Sequence, residues 1–215
     1  MEESKTPVII IGTGPEAKAA LDIANALDVV VYGFLTDDDE AVSREINDIL
    51  VIAKLGNKDS DTLLEDENIK LVVASRDIEQ RQNLVKYLNL KKPEIINLIH
   101  PFNSISSYAK IGKGNLIYPG AIVHANAMIG SYNLIETGVS VDMDVQIGDY
   151  CTLQTGARIG REVMIGKEVL VGMGAMIHPG LNIGEGAMIG PGAVVLSDVE
   201  AGDTVFGNPA KSAGQ

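Results

Sequence analysis

The sequence predicts two architectures in succession: a small parallel α/β sheet over residues 1–100, then a parallel β-helix over residues 101–215. Two observations predict the second part. Aliphatic residues recur every six positions from Ile105 to Val195, and Ile-Gly pairs recur every 18. A third observation predicts the first part: short apolar runs alternate with segments of helical periodicity between Val8 and Ile99.

The six-residue period passes through Ile105, Ile111, Ile117, Val123 and Ile129 and continues to Val195 without an insertion. A fixed internal period marks a solenoid, and a hexad marks a parallel β-helix. Each hexad supplies a short strand and a turn. Side chains alternate along a strand, so the residue two before each aliphatic also faces inward. That second set is mostly small or β-branched: Ala109, Ala121, Ala127, Val139, Val145, Cys151 and Ala157 among them. The Ile-Gly pairs at 111, 129, 147, 165 and 183 imply three hexads per coil. Coils stacked at about 4.8 Å build a prism roughly 25 Å tall. The glycines after the aliphatics are expected to permit the turns, because glycine adopts backbone conformations that strain other residues. A period of six matches no helical repeat.

In the first part, Val8–Ile11 reads as a strand that ends in Gly12-Thr13-Gly14-Pro15-Glu16-Ala17. Ala17, Ala20, Leu21, Ala24 and Leu27 then follow at helical spacing. A second apolar run, 29–35, ends in Thr36-Asp37-Asp38-Asp39. Strand, glycine turn, helix, strand and acid is the context that gives a glycine fingerprint meaning. Gly12 and Gly14, with Glu16, Asp37 and Asp38, are therefore candidate substrate-binding residues. Amides at a helix N-terminus suit a phosphate. The alternative is that the glycines only let the helix pack on the strand. The domain is too short for both halves of a dinucleotide fold. A third strand reads 71–74, Asp77 is placed to cap a helix running to Leu88, and Pro93 leads a fourth strand over 95–99. Residues 56–68 read as a turn and a short helix.

A net charge of −12 disfavours nucleic acid and anionic membranes as partners. The opening MEESKTP has no signal-peptide pattern and no run is long enough to span a membrane, so a cytoplasmic protein is expected. The single cysteine, Cys151, falls on the inward column and is expected to act as a small hydrophobe. The three histidines form no metal-ligand cluster by spacing, and no metal is predicted.

The opening VIIIGTGPEAK, then GFLTDDDE, IINLIHP, the unbroken hexads and the closing GNPAK resemble the hexapeptide-repeat sugar O- and N-acetyltransferases, the family of sialic acid O-acetyltransferase and the bacillosamine-pathway acetyltransferase. The resemblance implies a left-handed β-helix, a homotrimer, a Rossmann-like first domain holding a sugar or nucleotide-sugar, and acetyl-CoA in a groove between neighbouring β-helices. Carried onto this sequence, it places the cofactor along Gly156, Ala157, Gly174, Ala175 and Gly192. The family's base is a histidine oriented by an acid, and the matching segment here is Asp142-Met143-Asp144, so Met143 occupies the base position. Glu16 and Thr152 stand where two further family histidines are common. An 18-residue coil puts His124, Asp142, Gly160 and His178 in one column, which makes His124 with Asp142 and Asp144 the substitute catalytic candidates. The expected function is acyl-CoA-dependent transfer to an amino or hydroxyl group of a sugar with a nonstandard site. A catalytically silent relative that binds nucleotide-sugar or CoA as a sensor or partner subunit is the alternative, and a purely structural solenoid is the third.

Overall fold

The computed structural model describes residues 7–91 and 93–213. The chain divides into two units, Met1–Pro101 and Phe102–Gln215.

In the first unit the apolar run Val8–Ile11 forms strand β1, and all four residues are buried. Pro15 then starts helix α1 (Pro15–Ala26) at a position where its missing N–H costs nothing. Strand β2 (Val31–Thr36), strands β3 (Glu45–Ile46) and β4 (Ile49–Lys54), helix α2 (Lys58–Leu64), strand β5 (Lys70–Val73), helix α3 (Ile78–Asn89) and strand β6 (Glu94–Ile95) follow. The sheet order is β3-β4-β2-β1-β5-β6, parallel throughout except at the β3–β4 hairpin. Its core is Ile9, Ile10, Ile11, Phe34, Leu35 and Leu71. Asp77 caps α3 as expected, its carboxylate accepting from the Gln80 amide at 2.7 Å.

Two features depart from the expectations. The β3–β4 hairpin was not anticipated, although its signal is present. Asn47 and Asp48, both with positive φ (47° and 65°), form the two-residue loop between paired Ile46 and Ile49. Left-handed Asn-Asp loops of this length favour hairpins. The expected fourth strand over 95–99 is instead two short pieces, β6 and Leu98–Ile99. Its pairing with β5 ends where the Ile96 amide donates to the Leu71 carbonyl, 3.0 Å.

The second unit is a parallel β-helix with three faces, and the coil-to-coil register is 18 residues up to Val195, shortening to 16 in the last turn, where Ile183 meets Val199 and Met188 meets Thr204. The first face stacks Ile117, Ile135, Leu153, Val171 and Ile189, the second Ile105, Val123, Val141, Ile159, Ile177 and Val195, and the third Ile111, Ile129, Ile147, Ile165 and Ile183. The residues two before them are also interior; Ala121, Val139, Cys151 and Ala157 have no exposed surface. The tail adds Thr204–Phe206 in parallel to the first face, and Lys211–Ser212 folds back antiparallel on it. This covers a strand edge that would otherwise be open to pairing. Among the described residues no helix is long and apolar enough to cross a membrane.

The glycines after the aliphatics serve a different purpose from the one expected. Gly130, Gly148 and Gly166 are absent from the positive-φ residues. A Cβ at Gly130 would lie 2.7 Å from the backbone of Gly148, and one at Gly148 would lie 2.8 Å from that of Gly166. These glycines are required by the close approach of successive coils at a corner, not by an unusual turn conformation. Inside, two asparagines interrupt the apolar column and form a ladder. The Asn115 Oδ1 accepts from the Asn133 amide at 2.8 Å, and the Asn133 Oδ1 accepts from the Cys151 amide at 2.6 Å. Each buried side chain satisfies a corner N–H on the next coil.

Gly148→Ala should therefore destabilise the protein by about 1–3 kcal/mol, the usual cost of forcing an extra methyl into a packed interior. Calorimetry should show a melting temperature lower by several degrees. An unchanged melting temperature would mean that the coils are not held at the spacing described.

Candidate active site

Two regions carry the chemistry, one in each unit. In the α/β unit the carboxyl ends of β1, β2 and β5 converge, and the sheet order reverses its direction of winding beside β1. Ligands of open α/β sheets bind at such a point. Gly12 has φ 121°, and a Cβ there would lie 2.5 Å from the Ala74 carbonyl oxygen. Its absence lets the loop after β1 pass close to the end of β5, which accounts for Gly12 without a ligand. Gly14 is the N-cap of α1 and has more room around it.

Glu16 is buried in the first turn of α1 and pairs with Arg76, Nε to Oε1 2.9 Å. A Cβ at Gly14 would be 3.5 Å from the Glu16 Oε2. The carboxylate therefore lies over the glycine loop and faces the positive helix end, where an anion is favoured. A phosphate bound to those same amides would meet this charge. The Asp37 carboxylate accepts from the Gln80 Nε2 at 2.9 Å, and the Asp38 carboxylate accepts from the Glu40 amide at 3.0 Å. Beside the loop, a cavity of about 290 Å³ is lined by Thr13, Lys18, Asp38, Arg44, Glu45 and Asn47. Its charged lining is two cations, Lys18 and Arg44, and two acids, Asp38 and Glu45. Sequence reasoning missed Lys18 and Arg44, because Arg44 arrives on the unanticipated hairpin.

Further along α3, Tyr87 donates to the Asp61 carboxylate at 3.2 Å and Lys91 pairs with it at 3.0 Å. The hydrogen bond from Lys91 holds the Asp61 carboxyl below its usual range. Burial, followed by the hydrogen bond to Asp61, pushes the Tyr87 phenol up.

In the β-helix the three corners differ in one respect. Each corner has a residue per coil with left-handed backbone. At the corner between the second and third faces these include Asn126, Asp144 and Glu162, and between the third and first faces Tyr132, Tyr150 and Glu168, with φ of 59–63°. Between the first and second faces they are Gly120, Gly138, Gly156, Gly174 and Gly192. Left-handed backbone costs a non-glycine residue about 1–2 kcal/mol, and the other two corners bear that cost repeatedly. Backbone conformation alone does not demand five glycines in a row. Nor does packing, since a Cβ at Gly138, Gly156, Gly174 or Gly192 would meet nothing within 4 Å. The corner is bare toward the outside over five coils. Ala157 and Ala175, expected beside the cofactor, differ from these glycines. Their methyls are fully buried and their amides and carbonyls are bonded within the β-helix, so they present no group to an external ligand.

His124 and Asp142 do occupy adjacent coils of one column: the His124 amide donates to the Val141 carbonyl and the Asp142 amide to that of Ile159. Their side chains are engaged differently from the expectation. The Asp142 carboxylate accepts from the Met143 amide at 2.7 Å, and the Asp144 carboxylate accepts from the Asn126 Nδ2 at 3.0 Å. His124 is exposed, as are Met143 and Asp144. His178 Nδ1 lies 3.1 Å from the Pro179 carbonyl.

Residues 162–197 match the family model of the bacterial transferase hexapeptide, six repeats. No curated protein matches the sequence at a significant level. Solved structures match closely over the whole chain. A histidine-to-asparagine variant of perosamine N-acetyltransferase from Caulobacter crescentus, in complex with CoA and GDP-perosamine, has a TM-score of 0.90 at 28% identity, covering 97% of each chain. The acetyltransferase domain of PglB from Neisseria gonorrhoeae in complex with acetyl coenzyme A gives 0.87 at 26%, covering 97% of this chain and all of that one (100%). WeeI from Acinetobacter baumannii gives 0.85 at 25%, covering 95% and 98%. The stacked parallel ladders and the matched hexapeptide repeats make the second unit a left-handed β-helix, and the chain shares its overall fold with these acetyltransferase structures.

Proposed function

We propose that this protein transfers an acetyl group from acetyl-CoA to the amino group of a nucleotide-linked sugar. The observation that carries this is the match over 97% of both chains to an N-acetyltransferase complexed with CoA and GDP-perosamine. The bare corner supports it independently, since a run of exposed or half-buried glycines admits an extended chain such as the pantetheine arm of CoA against the backbone. Gly156, Gly174 and Gly192 retain the cofactor role under this proposal. The assembly is a homotrimer in which a neighbouring β-helix forms the other wall of the groove.

The first unit, a Rossmann-like domain in this proposal, holds the nucleotide-sugar. The cavity beside the glycine loop takes the diphosphate on Lys18 and Arg44. Gly12 and Gly14 shape the loop, and Glu16 with Arg76 closes its base. The active site is nonstandard. Met143 occupies the position of the family's histidine, and its thioether cannot take a proton from an amine. An unprotonated amine attacking a thioester needs less proton removal than a hydroxyl does, and positioning supplies a large part of the remaining barrier. Among histidines, His124 lies nearest Met143 in the column, but Asp142 would have to release the Met143 amide to orient it.

Acetyl-CoA at a hundredfold excess over its Kd should stabilise the protein by about 2.7 kcal/mol by mass action, seen as a raised melting temperature. UDP-, GDP- or dTDP-linked amino sugars should bind separately in calorimetric titration, followed by turnover when both ligands are present. Absence of any acetyl-CoA response at millimolar concentration would remove the transferase proposal. Binding of both ligands without turnover would instead support a sensor built on the same scaffold. The double variant Lys18→Ala, Arg44→Ala should weaken nucleotide-sugar binding at least tenfold, about 1.4 kcal/mol, and leave acetyl-CoA binding unchanged. Equal weakening of both ligands would place the diphosphate elsewhere.

A further inference from the structure

We infer that Glu136 and Thr155 form the proton-accepting pair of the acetyl transfer, an inference that rests on the transferase proposal. Glu136 is buried, at 5% exposure, and is the one buried carboxylate of the β-helix among the described residues. It lies at the bare corner, two residues before Gly138. Its Oε2 accepts two hydrogen bonds from Thr155 on the next coil, from the amide at 3.0 Å and from the hydroxyl at 3.0 Å. Thr155 is exposed and directly precedes Gly156. Because its hydroxyl proton is given to the carboxylate, its oxygen keeps lone pairs to accept a hydrogen bond from outside the protein.

The fold does not need this charge. One coil further on in the same column stands Gln154, whose Oε1 accepts from the Met173 amide at 3.1 Å. A neutral amide thus performs the same cap across the same 19-residue step. A carboxylate in that place adds a desolvation cost. At the next corner, which carries Met143, Asp142 is engaged by the Met143 amide and Asp144 by Asn126. The Glu136–Thr155 pair joins a buried proton acceptor to an exposed hydroxyl on the ridge proposed to carry CoA.

The step balances as follows. The nitrogen lone pair of an unprotonated sugar amine attacks the thioester carbonyl carbon, forming the C–N bond and pushing the π pair onto oxygen. The N–H proton passes to the Thr155 oxygen as the Thr155 hydroxyl proton passes to the Glu136 Oε2. The carbonyl re-forms, the C–S bond breaks, and its electron pair leaves with sulfur. The proton held by Glu136 returns through Thr155 to the thiolate. The products are the acetamido sugar and CoA-SH, and the pair is restored. Thr155 is the group that touches the substrate, and Glu136 acts through it.

The test uses the full chain with acetyl-CoA and UDP-, GDP- and dTDP-linked 4-amino sugars. Glu136→Gln keeps the cap, as Gln154 does, so the melting temperature and the KM for acetyl-CoA should stay near wild type. Its kcat should fall by about 10²–10⁴-fold, the usual contribution of a positioned base. Thr155→Val, which keeps the amide donor, should lose kcat similarly, and Thr155→Ser should retain it. Wild-type kcat in Glu136→Gln, with the KM for acetyl-CoA also unchanged, would overturn the inference and leave the transferase proposal standing. If Glu136→Gln does not fold, Thr155→Val decides alone, and wild-type turnover in it overturns the inference. A wild-type protein that transfers acetyl to none of these sugars overturns both.

Discussion

The spacing between stacked coils constrains every other feature of the β-helix. Each amide of a strand donates to the coil beside it, as Ile122 does to Val139 and Ser140 to Ala157. Up to Val195 the chain must therefore repeat at 18 residues without slippage, and every position there inherits the same surroundings from coil to coil. Where coils crowd at a corner, only glycine fits, which explains Gly130, Gly148 and Gly166. Where a corner amide would be left without an acceptor inside, asparagine supplies one, as at Asn115 and Asn133. These residues answer to the interior, and replacing them changes stability before it changes any chemistry.

Against that regular background, exceptions become informative. The glycines at 120, 138, 156, 174 and 192 are required by neither crowding nor backbone strain, because the other two corners accept Asn126, Tyr132, Asp144 and Glu162 in the same left-handed conformation. For the last four of them a Cβ would meet nothing of the chain within 4 Å. Glu136 is an exception of the opposite kind, a charge placed where Gln154 shows that an amide suffices. Both exceptions fall at the same corner. A bare ridge that can pass an extended ligand, with an anchored carboxylate beneath it, is an arrangement suited to group transfer rather than to a purely structural prism.

The β-helix was legible because a period of six over sixteen aliphatic positions has no competing physical explanation, and Cys151 and the alanine columns fell inside as the alternation requires. The first strand, glycine turn and helix were legible for a similar reason: local chemistry at Gly12, Pro15 and Asp77 fixes local geometry. What could not be read depended on contacts between distant residues. Glu16 finds Arg76 across 60 positions, and nothing in the spacing signals that pair. Lys18 meets Arg44 only through the hairpin, whose Asn47-Asp48 turn was a signal overlooked. The column of His124 and Asp142 was placed correctly, but a column gives backbone proximity and not side-chain direction, and Asp142 turns to its own neighbour's amide. Ala157 and Ala175 were assigned to the cofactor by resemblance, although the alternation already placed them indoors.

The most direct test of the bare corner is the affinity of Gly156→Asn for CoA. Asparagine tolerates left-handed backbone, as Asn126 does at φ 63°, and a Cβ at Gly156 meets nothing within 4 Å. The substitution should leave the melting temperature close to wild type. A side chain projecting from the ridge should nonetheless obstruct the ligand, and calorimetric titration should show CoA binding weakened at least tenfold. Unchanged CoA affinity in a stably folded Gly156→Asn protein would contradict the claim that this corner is kept bare for the cofactor.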